Sequence, residues 1–187
     1  MRSTRSAPAR IARSETVVIE PVASEARASI ESVMSAYSEA SKAVFALFED
    51  TTPLVEGLSI DEAFLDVRGL ERLAGSPEMI AATLRARVLD EVGLPITVGI
   101  ARTKFLAKVA SAVAKPNGLL VVPSDDELGF LHPLPVERLW GVGPVTATKL
   151  HSRGLRTVGQ VAALDEGLLV HMIRSAMSLN AAFRPAT

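Results

Sequence analysis

The stretch Ser59-Ile60-Asp61-Glu62-Ala63-Phe64-Leu65-Asp66-Val67 sets two adjacent carboxylates, Asp61 and Glu62, inside an apolar, strand-like run. In a straight strand, neighbouring side chains point to opposite faces, which would split the pair. At a turn both can converge on one point. Residues 55–60 and 63–67 therefore read as the two arms of a β-hairpin, with the acids at or near its turn. Such a pair either faces water or supplies part of an oxygen shell, because Mg2+ takes one or two carboxylates together with water and substrate phosphates. What the rest of the chain brings near the pair decides between these readings.

Upstream, residues 23–50 read as mostly helical, with Val33, Tyr37, Val44, Leu47 and Phe48 at spacings that fit an apolar face. Thr51-Thr52-Pro53 ends that helix. Downstream, Ser76 is placed to cap a helix that has Pro77 at its first position. Ile80, Leu84 and Val88 form its buried stripe, and Gly93 stops it. Residues 95–101 (PITVGIA) are a β-branched strand. Residues 103–114 form a further helix, with Phe105, Leu106, Val109, Ala110 and Val113 expected to be buried. Pro116-Asn117-Gly118 is a turn, and residues 119–122 are a last strand. The order hairpin, helix, strand, helix, strand predicts an α+β fold of the ferredoxin-like, split βαβ kind. After Pro123 the pattern becomes helical. Gly141-Val142-Gly143-Pro144 forms a tight hairpin that opens a helix, Gly154 closes it, and Thr157 caps another.

At 187 residues, with 48% of them apolar, the chain can bury one good domain plus a small appendage. It has no cysteine, which excludes disulfides, thiolate metal sites and a cysteine nucleophile, and is compatible with a reducing compartment. No apolar run reaches the ~18 residues of a membrane span. The first 13 residues carry Arg2, Arg5, Arg10 and Arg13 and no acid. They read as a leader, with a composition that a transit peptide would share. The net charge of −1 hides local basic stretches. Arg102, Lys104, Lys108 and Lys115 share a segment without acids, and Arg138, Lys149, Arg153 and Arg156 stand against Glu137 alone. That distribution allows a nucleic-acid partner.

Glycines in a short turn expose backbone N–H groups, and the helix that follows adds its positive end. The hairpin at Gly141, Val142 and Gly143, with Lys149 and Arg153 nearby, thus suits a phosphate backbone bound without base specificity. An ordinary packed helical turn is the alternative. Lys115, at a helix end, is either a dipole-favoured surface residue or a contact for a triphosphate. His132, His151 and His171 have no metal-ligand spacing, Trp140 and Phe130 read as packing residues, and Asp66 reads as a structural or solvated acid.

Three runs occur in order: TPLVEGLSIDEAFLDV (52–67), PITVGIARTKFLAKVASAVAKPNG (95–118) and WGVGPVTATKLHSRGLRTVGQV (140–161). Together they closely resemble the Y-family translesion DNA polymerases of the DNA polymerase IV type. The resemblance implies a palm built from the first two runs and a thumb whose helix-hairpin-helix is the third. It implies Asp61 and Glu62 as catalytic Mg2+ ligands, Lys115 as a contact for the incoming nucleotide, and Gly141, Val142 and Gly143 as the DNA-holding hairpin. Ser59 and Thr103 lie in the same palm motifs. The implied partners are primer-template DNA and a deoxynucleoside triphosphate, and the implied setting is cytoplasmic DNA repair and damage bypass.

The same comparison divides the chain into a poorly ordered leader (1–20), a partial palm (21–124), a thumb (125–171) and a divergent tail (172–187). The family's first palm strand, with its further metal-binding aspartate, has no match in residues 1–20, and residues 17–21 read as a remnant of the fingers. The fingers, little finger and clamp-binding motif are likewise unmatched. Without the bridging carboxylate both metals lose a ligand, so the expectation is a fragment with little or no polymerase activity of its own. A noncatalytic module that binds the DNA backbone and a gene-model fragment are the alternatives. Loss of a palm strand would also leave sheet edges open and promote self-association.

Overall fold

Thr16–Pro21 (TVVIEP) is a β-branched run, and in the computed structural model, which describes residues 16–21, 30–167 and 169, it is strand β1 at the centre of the sheet. The described residues form a five-stranded sheet in the order β2-β3-β1-β4-β5. The other strands are β2 (Val55–Gly57), β3 (Ala63–Asp66), β4 (Ile96–Ala101) and β5 (Leu119–Val121). β1 runs antiparallel to β3, with Ile19 opposite Ala63, and antiparallel to β4, with Ile19 opposite Val98. β2 and β3 form the predicted antiparallel hairpin, and β4 and β5 are parallel, as a helical crossover requires.

Residues 16–20, expected to belong to a poorly ordered leader, instead form most of β1. β1 lies between β3 and β4, because a run of Val17, Val18 and Ile19 can be buried on both faces of a central strand. With β1 between β3 and β4, the edges of the sheet among the described residues are β2 and β5. Residues 22–29, the start of the helix predicted from residue 23, and the tail 172–187 lie outside the described residues.

Side-chain alternation assigns the two faces. Val17 and Ile19 join Leu65, Val98 and Ile100 under two helices, α1 (Ile30–Thr51) and, after the short α2 (Glu71–Ala74), α3 (Pro77–Val92), which contribute Val44, Leu47, Phe48, Ile80, Leu84 and Val88. Val18 and Phe64 face α4 (Lys104–Ala114), packing on Leu106, Ala107 and Ala110. Each fully buried Val, Leu or Ile stabilises the fold by about 1.5–3 kcal/mol. The α4 helix lies so close to β4 that a Cβ on Gly99 would come within 2.2 Å of the Ala107 carbonyl oxygen.

The caps follow the sequence. Ser76 accepts a hydrogen bond from the Met79 amide at 3.3 Å, and Thr157 forms a capping box with Gln160. Phe105, expected in the buried stripe of α4, is 39% exposed, because the covered face of that helix is the one bearing Leu106, Ala107, Val109 and Ala110. Strand β2 stops at Gly57 rather than residue 60, since the amides of Leu58 and Ser59 turn to the Glu62 carbonyl at 2.8 and 3.2 Å.

Beyond β5 the chain forms α5 (Glu127–Leu131), a 3-10 turn (Val136–Arg138), α6 (Pro144–His151) and α7 (Val158–Ala162), around a small core of Val136, Ala147 and Leu150. Polar contacts are among those that tie this unit to the sheet layer. Arg138 donates to the Ala112 carbonyl at 3.0 Å, and Arg102 grips Glu127 through two nearly parallel hydrogen bonds of 2.8 and 2.7 Å. Those bonds hold the Glu127 carboxyl below the usual range, with burial opposing. A carboxyl lowered in the folded state contributes stability above its unfolded pKa and loses it as pH falls through the folded value. The stability gap between wild type and Glu127→Gln, measured by urea melts from neutral pH downward, is expected to hold at pH 6–7 and to close below about pH 4. A pH-independent gap would refute the linkage.

Candidate catalytic and nucleic-acid site

The loop between β2 and β3 brings Asp61 and Glu62 together, both half-buried, at one end of the sheet. Ser59 Oγ donates to Asp61 Oδ1, which holds the loop from within. Glu62 Oε1 accepts from Lys108 Nζ at 2.6 Å, and both side chains of this pair are largely shielded from solvent. Lys104, one turn earlier on α4, pairs with Glu56 and lies 5.4 Å above the Phe64 ring. Two lysines four residues apart thus meet two acids of the hairpin, a spacing visible in the sequence once α4 is recognised.

Tyr37 was expected on the apolar face of the first helix. Instead its hydroxyl sits at the acidic pair. Burial first, then a hydrogen bond to Asp61 and the charges of Asp61 and Glu62, push that hydroxyl above its usual range, so it stays a neutral donor. Asp66 is the structural acid expected: Arg68 engages both its oxygens and holds it below the usual range, with burial opposing.

Lys115 shares the sheet end of the acidic pair. The register aligns Ala63 with Ile19, Ile19 with Val98, and Val98 with Leu119, so the residues before β3 and before β5 lie on the same side. Three strand spacings separate them, about 14 Å. Glu20, the residue after Ile19 and the register partner of Thr97, carries the β1 backbone to this same end, a placement that sequence reading did not anticipate.

Asp61 and Glu62 offer hard oxygen donors on one loop, which suits a magnesium ion as part of its shell. Among the described residues they are joined by no third His, Asp or Glu close enough to form a metal-holding group.

In the hairpin, Gly141 adopts φ 93°, a conformation that suits glycine, and the Val142 amide closes the turn on the Leu139 carbonyl at 3.0 Å. Val142 therefore serves the turn and packs on the small core, while Gly143 is the N-cap of α6 with Pro144 at its first position. Lys149 sits in the last turn of α6, and Arg153 follows it and donates to the Lys149 carbonyl at 3.3 Å. Trp140, expected to be a packing residue, is half exposed. Its ring meets Phe64 at 6.0 Å between centroids, linking the hairpin to the strand that follows the acids. His151 pairs with Glu137 at 3.1 Å, and His171 lies outside the described residues.

An α+β palm with an acidic pair at one sheet end, followed by a helix-hairpin-helix unit, is the class this arrangement defines. A model described as the impB/mucB/samB family matches residues 7–112, and one described as the IMS family HHH motif matches residues 124–155. The chain belongs to the impB/mucB/samB family, the Y-family DNA polymerases of DNA polymerase IV type. It is 50% identical over 139 residues to DNA polymerase IV 2 of Mesorhizobium japonicum, covering 74% of this chain and 34% of that protein. It is also 50% identical over 133 residues to DNA polymerase IV of Desulfatibacillum aliphaticivorans, covering 71% and 34%. The chain thus spans about a third of the length of these curated relatives. Among solved structures, DinB from Sulfolobus solfataricus superposes with a TM-score of 0.64 at 26% identity, covering 81% of this chain and 47% of that one. Among the described residues no helix is long and apolar enough to cross a membrane.

Proposed function

We propose that this chain carries part of an error-prone, template-directed DNA polymerase site, joined to a unit that grips the DNA backbone. The observation that carries this reading is the convergence of Asp61, Glu62 and the Lys115 turn on one end of the palm sheet. Asp61 and Glu62 would hold Mg2+, which when bound supplies charge stabilisation for phosphoryl transfer. Ser59 orients Asp61 by a hydrogen bond, and Lys108 orients Glu62. Lys115 contacts the triphosphate of the incoming nucleotide, since about 14 Å is a span that a triphosphate and one lysine side chain cover together. The amides of Gly141 and Gly143, with Lys149 and Arg153, receive the DNA backbone.

The 187-residue chain is expected to bind primer-template DNA weakly and, with no third acid beside the pair among the described residues, to extend it at or near background. A shallow salt dependence should accompany that binding, reflecting few phosphate contacts. Trp140, the single tryptophan, reports binding at the hairpin by its fluorescence. Primer extension with Mg2+ that vanishes in Asp61→Ala would overturn the expectation of inactivity. DNA binding without any Mg2+-dependent nucleotide binding would favour a noncatalytic DNA-backbone module. Absence of DNA binding at low salt would refute the proposal.

A further inference from the structure

We propose that Arg85, on α3, is a positioning residue that fixes the turn carrying Lys115, and through it the affinity for a nucleoside triphosphate. This rests on the reading of Lys115 as a triphosphate contact. Arg85 follows the buried Leu84 and emerges from the flank of α3. Its guanidinium reaches past the start of β4 into the turn before β5. Nε donates to the Ile96 carbonyl at 3.2 Å, while Nη2 donates to the Asn117 carbonyl at 2.7 Å and to Asn117 Oδ1 at 2.9 Å. One planar fork therefore joins the first residue of β4 to the turn.

Asn117 is held from the other side as well. Its amide donates at 3.0 Å to the hydroxyl of Thr97, a fully buried residue of β4. Asn117 also adopts a positive φ of 49°, which costs energy and persists where surrounding contacts impose it. Lys115 lies two residues earlier, as the extended C-cap of α4. It is thus carried on a short tether between the end of a packed helix and a clamped asparagine. The strand that follows is only three residues long and lies on the sheet edge, so the clamp, more than the strand, sets where the tether runs. A lysine in place of Arg85 would keep the charge but lose the fork, which separates positioning from simple attraction of phosphate.

The test compares wild type with Arg85→Ala, Arg85→Lys, Lys115→Ala and the double variant Arg85→Ala/Lys115→Ala, all as the full chain. Calorimetry with dGTP and Mg2+ gives the affinity, and hydrogen exchange gives the protection of the Asn117 amide. Lys115→Ala is expected to weaken binding about tenfold or more, the scale of a hydrogen bond from a charged group. Arg85→Ala and Arg85→Lys should both approach that loss and both deprotect Asn117. The double variant should be no weaker than Lys115→Ala alone, the non-additivity of residues acting through one contact. Affinity unchanged in Arg85→Ala, retained in Arg85→Lys, or additive losses in the double variant would each overturn the proposal while leaving the role of Lys115 intact. Absence of dGTP binding by wild type, or wild-type affinity in Lys115→Ala, would overturn the reading of Lys115 and this proposal with it.

Discussion

A chain carrying Ile19→Asp is expected to lose its cooperative unfolding transition. Ile19 is fully buried at the centre of β1, between Ala63 of β3 and Val98 of β4. Among the described residues packed on the sheet face that carries Val17, Leu65 and Ile100, a carboxylate there meets only apolar side chains. Burying it unpaired costs several kcal/mol, and protonation to escape that cost still leaves an unsatisfied polar group. A small domain has only about 5–15 kcal/mol of stability in total. The substitution is therefore expected to consume most or all of it, seen as loss of a sharp thermal transition by circular dichroism. A melt within a few degrees of wild type would show that Thr16–Pro21 is not the central strand.

Gly99→Ala is expected to be nearly as damaging, for a steric rather than an electrostatic reason. The added Cβ would meet the Ala107 carbonyl oxygen at 2.2 Å and the Ser111 amide nitrogen at 2.3 Å. Both are backbone atoms of α4, so no side chain can swing aside. The helix must move away from the sheet, loosening its packing on Val18 and Phe64. Overpacking of a core costs about 1–3 kcal/mol when side chains can adjust, and with backbone on both sides the loss is expected at or above about 3 kcal/mol. Chemical denaturation read as a shift in midpoint at constant slope measures it. Because α4 also supplies Lys104 and Lys108 to the acidic hairpin, the same substitution should weaken Mg2+-dependent nucleotide binding. A neutral result would mean that α4 does not pack on β4 at Gly99.

Much of this architecture was legible in the sequence, for local reasons. The helix at Ser76-Pro77, the strand PITVGIA and the capping at Thr157 rest on side-chain periodicity and cap chemistry within a few residues. The acidic pair reads as lying near a turn because strand-like apolar runs flank it on both sides. What was missed depends on long-range pairing. Thr16–Pro21 is as long as Ile96–Ala101, but its central place is not a local property, and only its partners Ala63 and Val98 give it that place. The hydroxyl of Tyr37 fits an apolar stripe equally well until the hairpin folds against that helix and presents Asp61. The clamp at Asn117 is likewise invisible until Arg85 is seen to reach it from far along the chain.

The place of β1 between two strands that come later has a consequence for how the molecule assembles. The hairpin of β2 and β3 can close by itself, and β4, α4 and β5 form a compact neighbouring unit. Neither pairs directly with the other across the centre of the sheet. The earliest strand joins both through contacts far apart in the sequence, Ile19 with Ala63 and Ile19 with Val98. Closing such distant contacts makes folding slow relative to a helical bundle of the same size. Before that step, β3 and β4 each present an unpaired edge. While β1 is undocked, those edges are open to pairing with another chain, and docking β1 removes both at once.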